Sequence, residues 1–139
     1  MGVLLIDDDL ASANALHKLL DEVAGRRVWL WHERTAPAAK RLLAACEFRL
    51  ILLALTLPDG LPGVAIRLIK RAAPDTPLAL LASPTDVGID QQPFSDTHAR
   101  LAGAIAVLPK HEPAPLLRVL HSVLHTPRRG SCAGPPRPA

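Results

Sequence analysis

The sequence has few sulfur-containing and aromatic residues. It contains no tyrosine, one methionine, two tryptophans, two phenylalanines and two cysteines in 139 residues. Cys46 lies in a helical pattern and Cys132 near the end of the chain, a spacing that fits neither a disulfide framework nor a zinc site. We therefore expect Cys46 to act as a small buried hydrophobe, in a core made mostly of leucine, alanine, isoleucine and valine.

Long hydrophobic runs are also missing. No apolar run approaches the roughly 18 residues that a membrane span requires. The first residues, MGVLLIDDD, have no basic region, and their short apolar run leads at once into three acids, which is not the pattern of a signal peptide. The length predicts one domain, since a domain typically takes about 100 to 200 residues. The expectation is a soluble cytoplasmic domain over residues 1–125.

The small excess of positive charge lies in the last residues. The net charge is +3, but residues 126–139 hold three of the 16 basic side chains and no acid, leaving 13 basic against 13 acidic side chains before them. A neutral body argues against a DNA-binding surface on the folded part. The segment 126–139 is rich in proline and glycine, which predicts a disordered tail or a linker to an output domain.

Five short apolar runs predict the strands. They are continuous, as expected for strands covered on both faces. Segments with helical spacing separate them, the weakest being residues 83–103, where we predict a helix only around 95–101. The five runs are VLLI (3–6), VWLW (28–31), LILLAL (50–55), LALLA (78–82) and AIAVL (104–108).

Strands that alternate with helices predict a doubly wound α/β fold, a parallel sheet with helices on both faces. In the five-stranded order 2-1-3-4-5, ligands bind beyond the carboxyl ends of strands one and three. The candidate site residues are therefore Asp7 and Asp8 after the first strand and Lys110, which follows Pro109 at the end of the fifth. Asp9 is either a third acid of this site or the N-cap of the first helix.

Four segments, in order and at the right separations, carry a family resemblance. They are VLLIDDD, LILLALTLPDG, RAAPDTPLALLAS and AGAIAVLPK. Together they resemble a response-regulator receiver domain, of the CheY-like kind found in two-component signalling, over about residues 2–124. The resemblance implies the flavodoxin-like fold.

The resemblance also implies a set of site residues, and one of them is replaced. In receivers an acid pair binds Mg²⁺, an aspartate at the end of the third strand accepts a phosphoryl group, and a lysine contacts the phosphoryl oxygens. By position, Asp7 and Asp8 match the acid pair, Thr56 the residue whose carbonyl helps to hold the metal, and Lys110 the lysine. Ala54 stands where the acceptor aspartate belongs, and alanine has no nucleophile.

Two further positions depart from the family pattern. In receivers a Ser or Thr after the fourth strand and an aromatic residue three positions before the lysine sense phosphorylation. The first of these switch positions aligns with Ala82, although Ser83 is one residue away, and the second aligns with Val107. Three changes favour a natural pseudo-receiver; the alternative is a conventional receiver with an engineered Asp→Ala at position 54. With a carboxylate missing, we expect Mg²⁺ to bind weakly or not at all, and Lys110 to pair with Asp8 or Asp7 instead.

Other residues are weaker candidates for accepting a phosphoryl group, binding a metal ion or contacting a ligand. Thr56 has no evident general base, and Asp59 belongs to a Pro-Asp-Gly turn. His121 lies four residues before His125, but no third metal ligand is spaced to join them. The two tryptophans at positions 29 and 31 are expected to pack rather than stack on a ligand.

The leading functional hypothesis is a signalling module that acts by protein–protein interaction without aspartate phosphorylation, as in the regulatory part of a transcriptional regulator. We expect no enzymatic activity, no direct nucleic-acid binding and no membrane contact. Receivers commonly dimerise through the fourth helix, fifth strand and fifth helix, a face that here includes Arg100, Leu101, Arg118 and His121. A flavodoxin-like enzyme or small-molecule binder is the remaining alternative, against which stands the lack of a Gly-rich phosphate loop.

Overall fold

The computed structural model describes residues 2–24, 28–54, 62–82, 104–109 and 113–124. The helix predicted around 95–101 and the tail 126–139 lie outside these residues, so the last helix is labelled α4. In chain order the elements are β1 (Gly2–Ile6), α1 (Leu10–Ala24), β2 (Trp29–Glu33), α2 (Ala36–Ala45), β3 (Leu50–Ala54), α3 (Pro62–Ala72), β4 (Leu78–Ala82), β5 (Ala106–Pro109) and α4 (Pro113–Leu124).

The strands form one parallel sheet in the order β2-β1-β3-β4-β5. This is the order predicted from the sequence, and the fold is flavodoxin-like and doubly wound. The order places β1 and β3 side by side in the middle, and every residue of both strands is buried. The continuous apolar runs are explained by this position, since a central strand of a parallel sheet is covered on both faces.

The core consists of two layers, one on each face of the sheet. On one face, side chains of α1 and α4, such as Leu16 and Leu120, pack against alternate strand residues. On the other face, α2 and α3 contribute Leu43, Ile66 and Ile69. Successive side chains of a strand point to opposite faces, so Leu5 belongs to the first layer and Ile6 to the second.

β2 differs from its prediction because it is the edge strand. It covers Trp29–Glu33 rather than 28–31, and only Leu30 within it is buried. Trp31 packs against the second layer and meets Phe48 edge to face, with ring centroids 6.0 Å apart and an interplanar angle of 75°. β5 also shifts, from the predicted 104–108 to Ala106–Pro109.

Two helices begin at polar side chains that cap them. Asp9 accepts a hydrogen bond at Oδ1 from the backbone N of Ala11 (3.1 Å), and its carbonyl accepts from Ala13 (3.1 Å). Thr35, in an extended conformation, accepts at Oγ1 from Ala38 N at 3.3 Å. Each side chain satisfies a backbone N–H that the first turn of a helix leaves without an intrahelical partner.

Cys46 corrects one expectation from the sequence. It follows α2, is half-buried, and is disulfide-bonded rather than a free thiol. Cys132, the other cysteine of the chain, lies outside the described residues. None of the described helices combines the length and the apolar character that a transmembrane helix needs.

Candidate functional site

The carboxyl ends of the central strands meet at one edge of the sheet. Ile6 of β1 pairs in register with Leu53 of β3, so the next residues along the two strands are Asp7 and Ala54. Ala54 in turn pairs with Leu81 of β4. The register therefore brings Asp7 and Ala54 to the same edge of the sheet.

Asp7 is a fully buried carboxylate held by the backbone around it. It is 0% exposed, and its own N–H donates to the carbonyl of Glu33 at 3.0 Å, which extends the pairing of the two strands by one residue. Its Oδ1 accepts from the backbone N of Asp9 at 3.0 Å, and its Oδ2 is buried. These contacts fix the carboxylate where β1 gives way to α1.

The other two acids differ in environment and in role. Asp9 is exposed and caps α1, with an additional hydrogen bond from Ser12 Oγ to its Oδ2 at 2.7 Å. Asp8 is exposed at the edge of the sheet. The N-cap interpretation of Asp9 is thus confirmed, and the acid pair that the resemblance assigns to a metal consists of buried Asp7 and exposed Asp8.

Ala54 is the last residue of β3 and is 2% exposed. Its methyl group belongs to the buried end of the strand, next to the position of Asp7. A methyl group can neither attack phosphorus nor coordinate a cation, so this position supplies only packing.

The remaining site predictions divide between described and undescribed residues. Ala82 ends β4, and Val107, in β5, is half-buried and packs against the layer of α2 and α3. Arg118 and His121 are exposed on α4. The following predicted residues lie outside the described part of the chain: Thr56, Asp59, Ser83, Arg100, Leu101, Lys110 and His125.

The described residues do not form a complete magnesium site. They contain no group of three His, Cys, Asp or Glu side chains placed to hold a metal ion. Mg²⁺ prefers octahedral oxygen ligands and releases its water reluctantly. Asp7 and Asp8 supply carboxylates, but Oδ1 of Asp7 already accepts a backbone hydrogen bond, and Ala54 supplies a methyl group, which is no ligand for a cation.

His32 is a site neighbour that the sequence did not reveal. Its Nε2 donates to the carbonyl of Asp7 at 2.6 Å, from a half-buried position on the edge strand β2. The contact spans 25 positions of sequence and depends on the register of β2 with β1, in which His32 pairs with Leu5. The hydrogen bond from His32 to Asp7 can be predicted only once the register of β2 with β1 is known.

Several solved receiver domains share this fold. A two-component response regulator from Clostridium difficile is 20% identical with a TM-score of 0.71, covering 89% of this chain and 95% of that one. The non-phosphorylated HemR receiver domain from Leptospira biflexa is 23% identical with a TM-score of 0.69, covering 94% and 98%. No family model and no curated relative matches the sequence.

A third neighbour was solved with a metal ion. It is the receiver domain of a sensor histidine kinase from Pseudomonas aeruginosa, with magnesium coordinated in its active-site cleft; it is 18% identical with a TM-score of 0.70, covering 90% of this chain and 98% of that one. At identities of this size the likeness establishes the fold of the chain.

Proposed function

We propose that this chain is a receiver-like domain of two-component-type signalling that works through protein–protein contacts and accepts no phosphoryl group on aspartate. The observation that carries the proposal is Ala54, a buried methyl group at the carboxyl end of β3, beside the position of Asp7. The receiver fold of the solved neighbours supports the signalling part of the proposal. The alanine supports its second part, because an acyl phosphate needs a carboxylate to form on.

The proposal assigns a structural task to the acids that remain. Asp7 accepts the hydrogen bond of Asp9 N and so helps to place the start of α1. Lys110 is proposed to neutralise Asp7 or Asp8 directly, as the predicted ending of the fifth strand suggests. Magnesium, which the Pseudomonas neighbour holds in its cleft, is proposed to bind this edge weakly, because the third carboxylate is missing.

The proposed partners are proteins, beginning with a second copy of the chain. The candidate surface contains Arg118 and His121 of α4, both exposed, together with Arg100 and Leu101 from the sequence. As the regulatory part of a transcriptional regulator, such a domain would transmit its signal through a change of partner.

Light scattering tests this function. The expected result is a dimer whose mass is the same with and without beryllofluoride and Mg²⁺. Beryllofluoride is a mimic of the phosphoryl group, and it needs a carboxylate at position 54 to bind. A mass that shifts on addition of beryllofluoride would reject the proposal. The variant Ala54→Asp serves as the matched control, since it differs by the one group that the mimic requires.

The alternative is a conventional phosphoryl-accepting receiver in which position 54 was changed from aspartate. Asp7 and Asp8 favour this alternative, since they retain the acid pair that the resemblance assigns to the Mg²⁺ site of a receiver. Sequencing the gene in its source genome decides between the two: an alanine codon at position 54 supports the pseudo-receiver, and an aspartate codon supports the alternative.

A further inference from the structure

The outer surfaces of α2 and α3 carry charge of one sign. The two helices, APAAKRLLAA and PGVAIRLIKRA, contain five basic residues and no acid. They pack against each other on the same face of the sheet, with Leu43 and Ile66 turned into the core. Four of the basic residues are exposed and define the basic strip: Lys40, Arg41, Arg67 and Arg71.

The fifth basic residue has a structural task. Lys70 is half-buried, and its Nζ donates to the carbonyls of Pro74 (3.1 Å) and Thr76 (2.9 Å), which closes the turn after α3. Within the described ranges, by contrast, none of the four side chains of the basic strip takes part in a hydrogen bond or an ion pair. The strip therefore presents charge that the described residues do not neutralise.

On the opposite face of the sheet, α1 shows the ordinary pattern of a solvated helix. There α1 exposes Lys18 together with Asp21 and Glu22, and His17 lies 3.9 Å from Asp21. Charges of both signs occur on that helix, as on a typical solvated surface. The neutral charge of residues 1–125 thus conceals a segregation of positive charge onto α2 and α3.

We infer that the basic strip docks a short acidic segment of a partner protein. Arginine guanidinium groups form paired hydrogen bonds with carboxylates, and three of the four residues are arginine. A helix of 10 residues is about 15 Å long, which matches a few residues of an extended peptide. Val64, 60% exposed on α3, offers an apolar contact beside the charges.

The carboxyl-terminal end of the strip argues against a long polyanion. Exposed Glu47 follows α2, and exposed Asp75 follows α3, so carboxylates bound the strip where both helices end. A nucleic acid that continued past the strip would meet them. The exposed large hydrophobic side chains among the described residues are Leu10, Val64 and Ile105, which offer neither an aromatic platform for bases nor the broad apolar face that inserts into a membrane.

The test uses the full chain and three anionic probes: a fluorescent peptide of glutamate and leucine, a DNA duplex, and vesicles containing phosphatidylserine. We expect the peptide to bind tightest. Arg71→Glu should weaken it about threefold and the double variant Arg41→Glu/Arg71→Glu about tenfold, since each reversal replaces an attraction by a repulsion. Lys18→Glu, the same change of charge on α1, should leave the affinity unchanged.

Three results would overturn the inference: no peptide binding by the unaltered chain, equal weakening by Lys18→Glu and Arg71→Glu, or tighter binding of DNA or vesicles that the same strip variants abolish. Circular dichroism of each variant verifies that it is folded. None of these results depends on position 54, so they are independent of the proposed function.

Discussion

Asp7, directly after β1, and Ala54, the last residue of β3, each lie one residue beyond the register pair of Ile6 and Leu53. A buried carboxylate and a buried methyl group therefore share one edge of the sheet. The carboxylates at this edge determine whether it can bind a cation, and the hydrogen bonds of Asp9 and Arg49 stabilise the fold around it.

Ala54→Asp should create a site for Mg²⁺. The new carboxylate would stand beside Asp7, and two like charges repel each other, so the variant should melt below the unaltered chain without metal. Mg²⁺ should restore its stability, by about 2.7 kcal/mol at a concentration of 100 times the dissociation constant.

Ala54→Asn is the control for that variant, because it adds nearly the same volume without the charge. Differential scanning fluorimetry with and without Mg²⁺ makes the comparison. If Mg²⁺ leaves the melting temperature of Ala54→Asp unchanged, position 54 and Asp7 do not share a cation site.

Asp9→Ala should destabilise the fold through the start of α1. The change removes the acceptor of the hydrogen bonds from Ala11 N and Ser12 Oγ, and loss of an N-cap typically costs about 1 kcal/mol. Urea unfolding measures the change. Asp8→Ala, which removes the adjacent exposed carboxylate, should stay within about 0.5 kcal/mol of the unaltered chain; equal losses would contradict the assignment of the cap to Asp9.

Arg49→Met should loosen the end of α4. Arg49 precedes β3, and its Nη2 donates to the carbonyl of Val123 at 2.6 Å, which joins the sheet to the last helix. A hydrogen bond from a charged donor contributes about 1.5 to 3 kcal/mol, so the free energy of unfolding should fall by roughly that amount. Arg118→Met, at an exposed position of α4, is the control and should change little.

Lys110→Ala tests the proposed neutralisation of the acid pair. If the lysine pairs with buried Asp7, removing it leaves that carboxylate without its countercharge, which costs on the order of 3 kcal/mol; pairing with exposed Asp8 would contribute no more than about 1 kcal/mol. The melting temperature should fall clearly below that of Lys18→Ala, which removes an exposed lysine from α1. Equal melting temperatures for the two variants would show that Lys110 does not pair with Asp7.

The sequence predicted the sheet well where burial determines the side chains. β1 and β3 are covered on both faces, so their residues must be apolar, and the runs around Leu4 and Leu52 mark them directly. β2 was placed too early because an edge strand needs fewer apolar residues. Backbone pairing with β1 continues through His32 and Glu33, whose side chains give no hydrophobic signal.

The candidate site was predictable only in part. The positions of Asp7 and Ala54 follow from strand ends and the topology rule, whereas the bond from His32 to Asp7 depends on a register that no local pattern encodes. The basic strip was hidden for another reason. The basic and acidic side chains of residues 1–125 are equal in number, so the net charge is zero. A net charge cannot reveal that Arg41 and Arg71 lie on two adjacent helices without acids.

The most direct test of the central claim is intact-mass spectrometry of the unaltered chain after incubation with acetyl phosphate and Mg²⁺. The chain should keep its mass, while Ala54→Asp, treated in parallel, should gain about 80 Da, the mass of one phosphoryl group. If the unaltered chain gains that mass and loses it again in hydroxylamine, it carries an acyl phosphate. The claim that this chain accepts no phosphoryl group on aspartate would then be wrong.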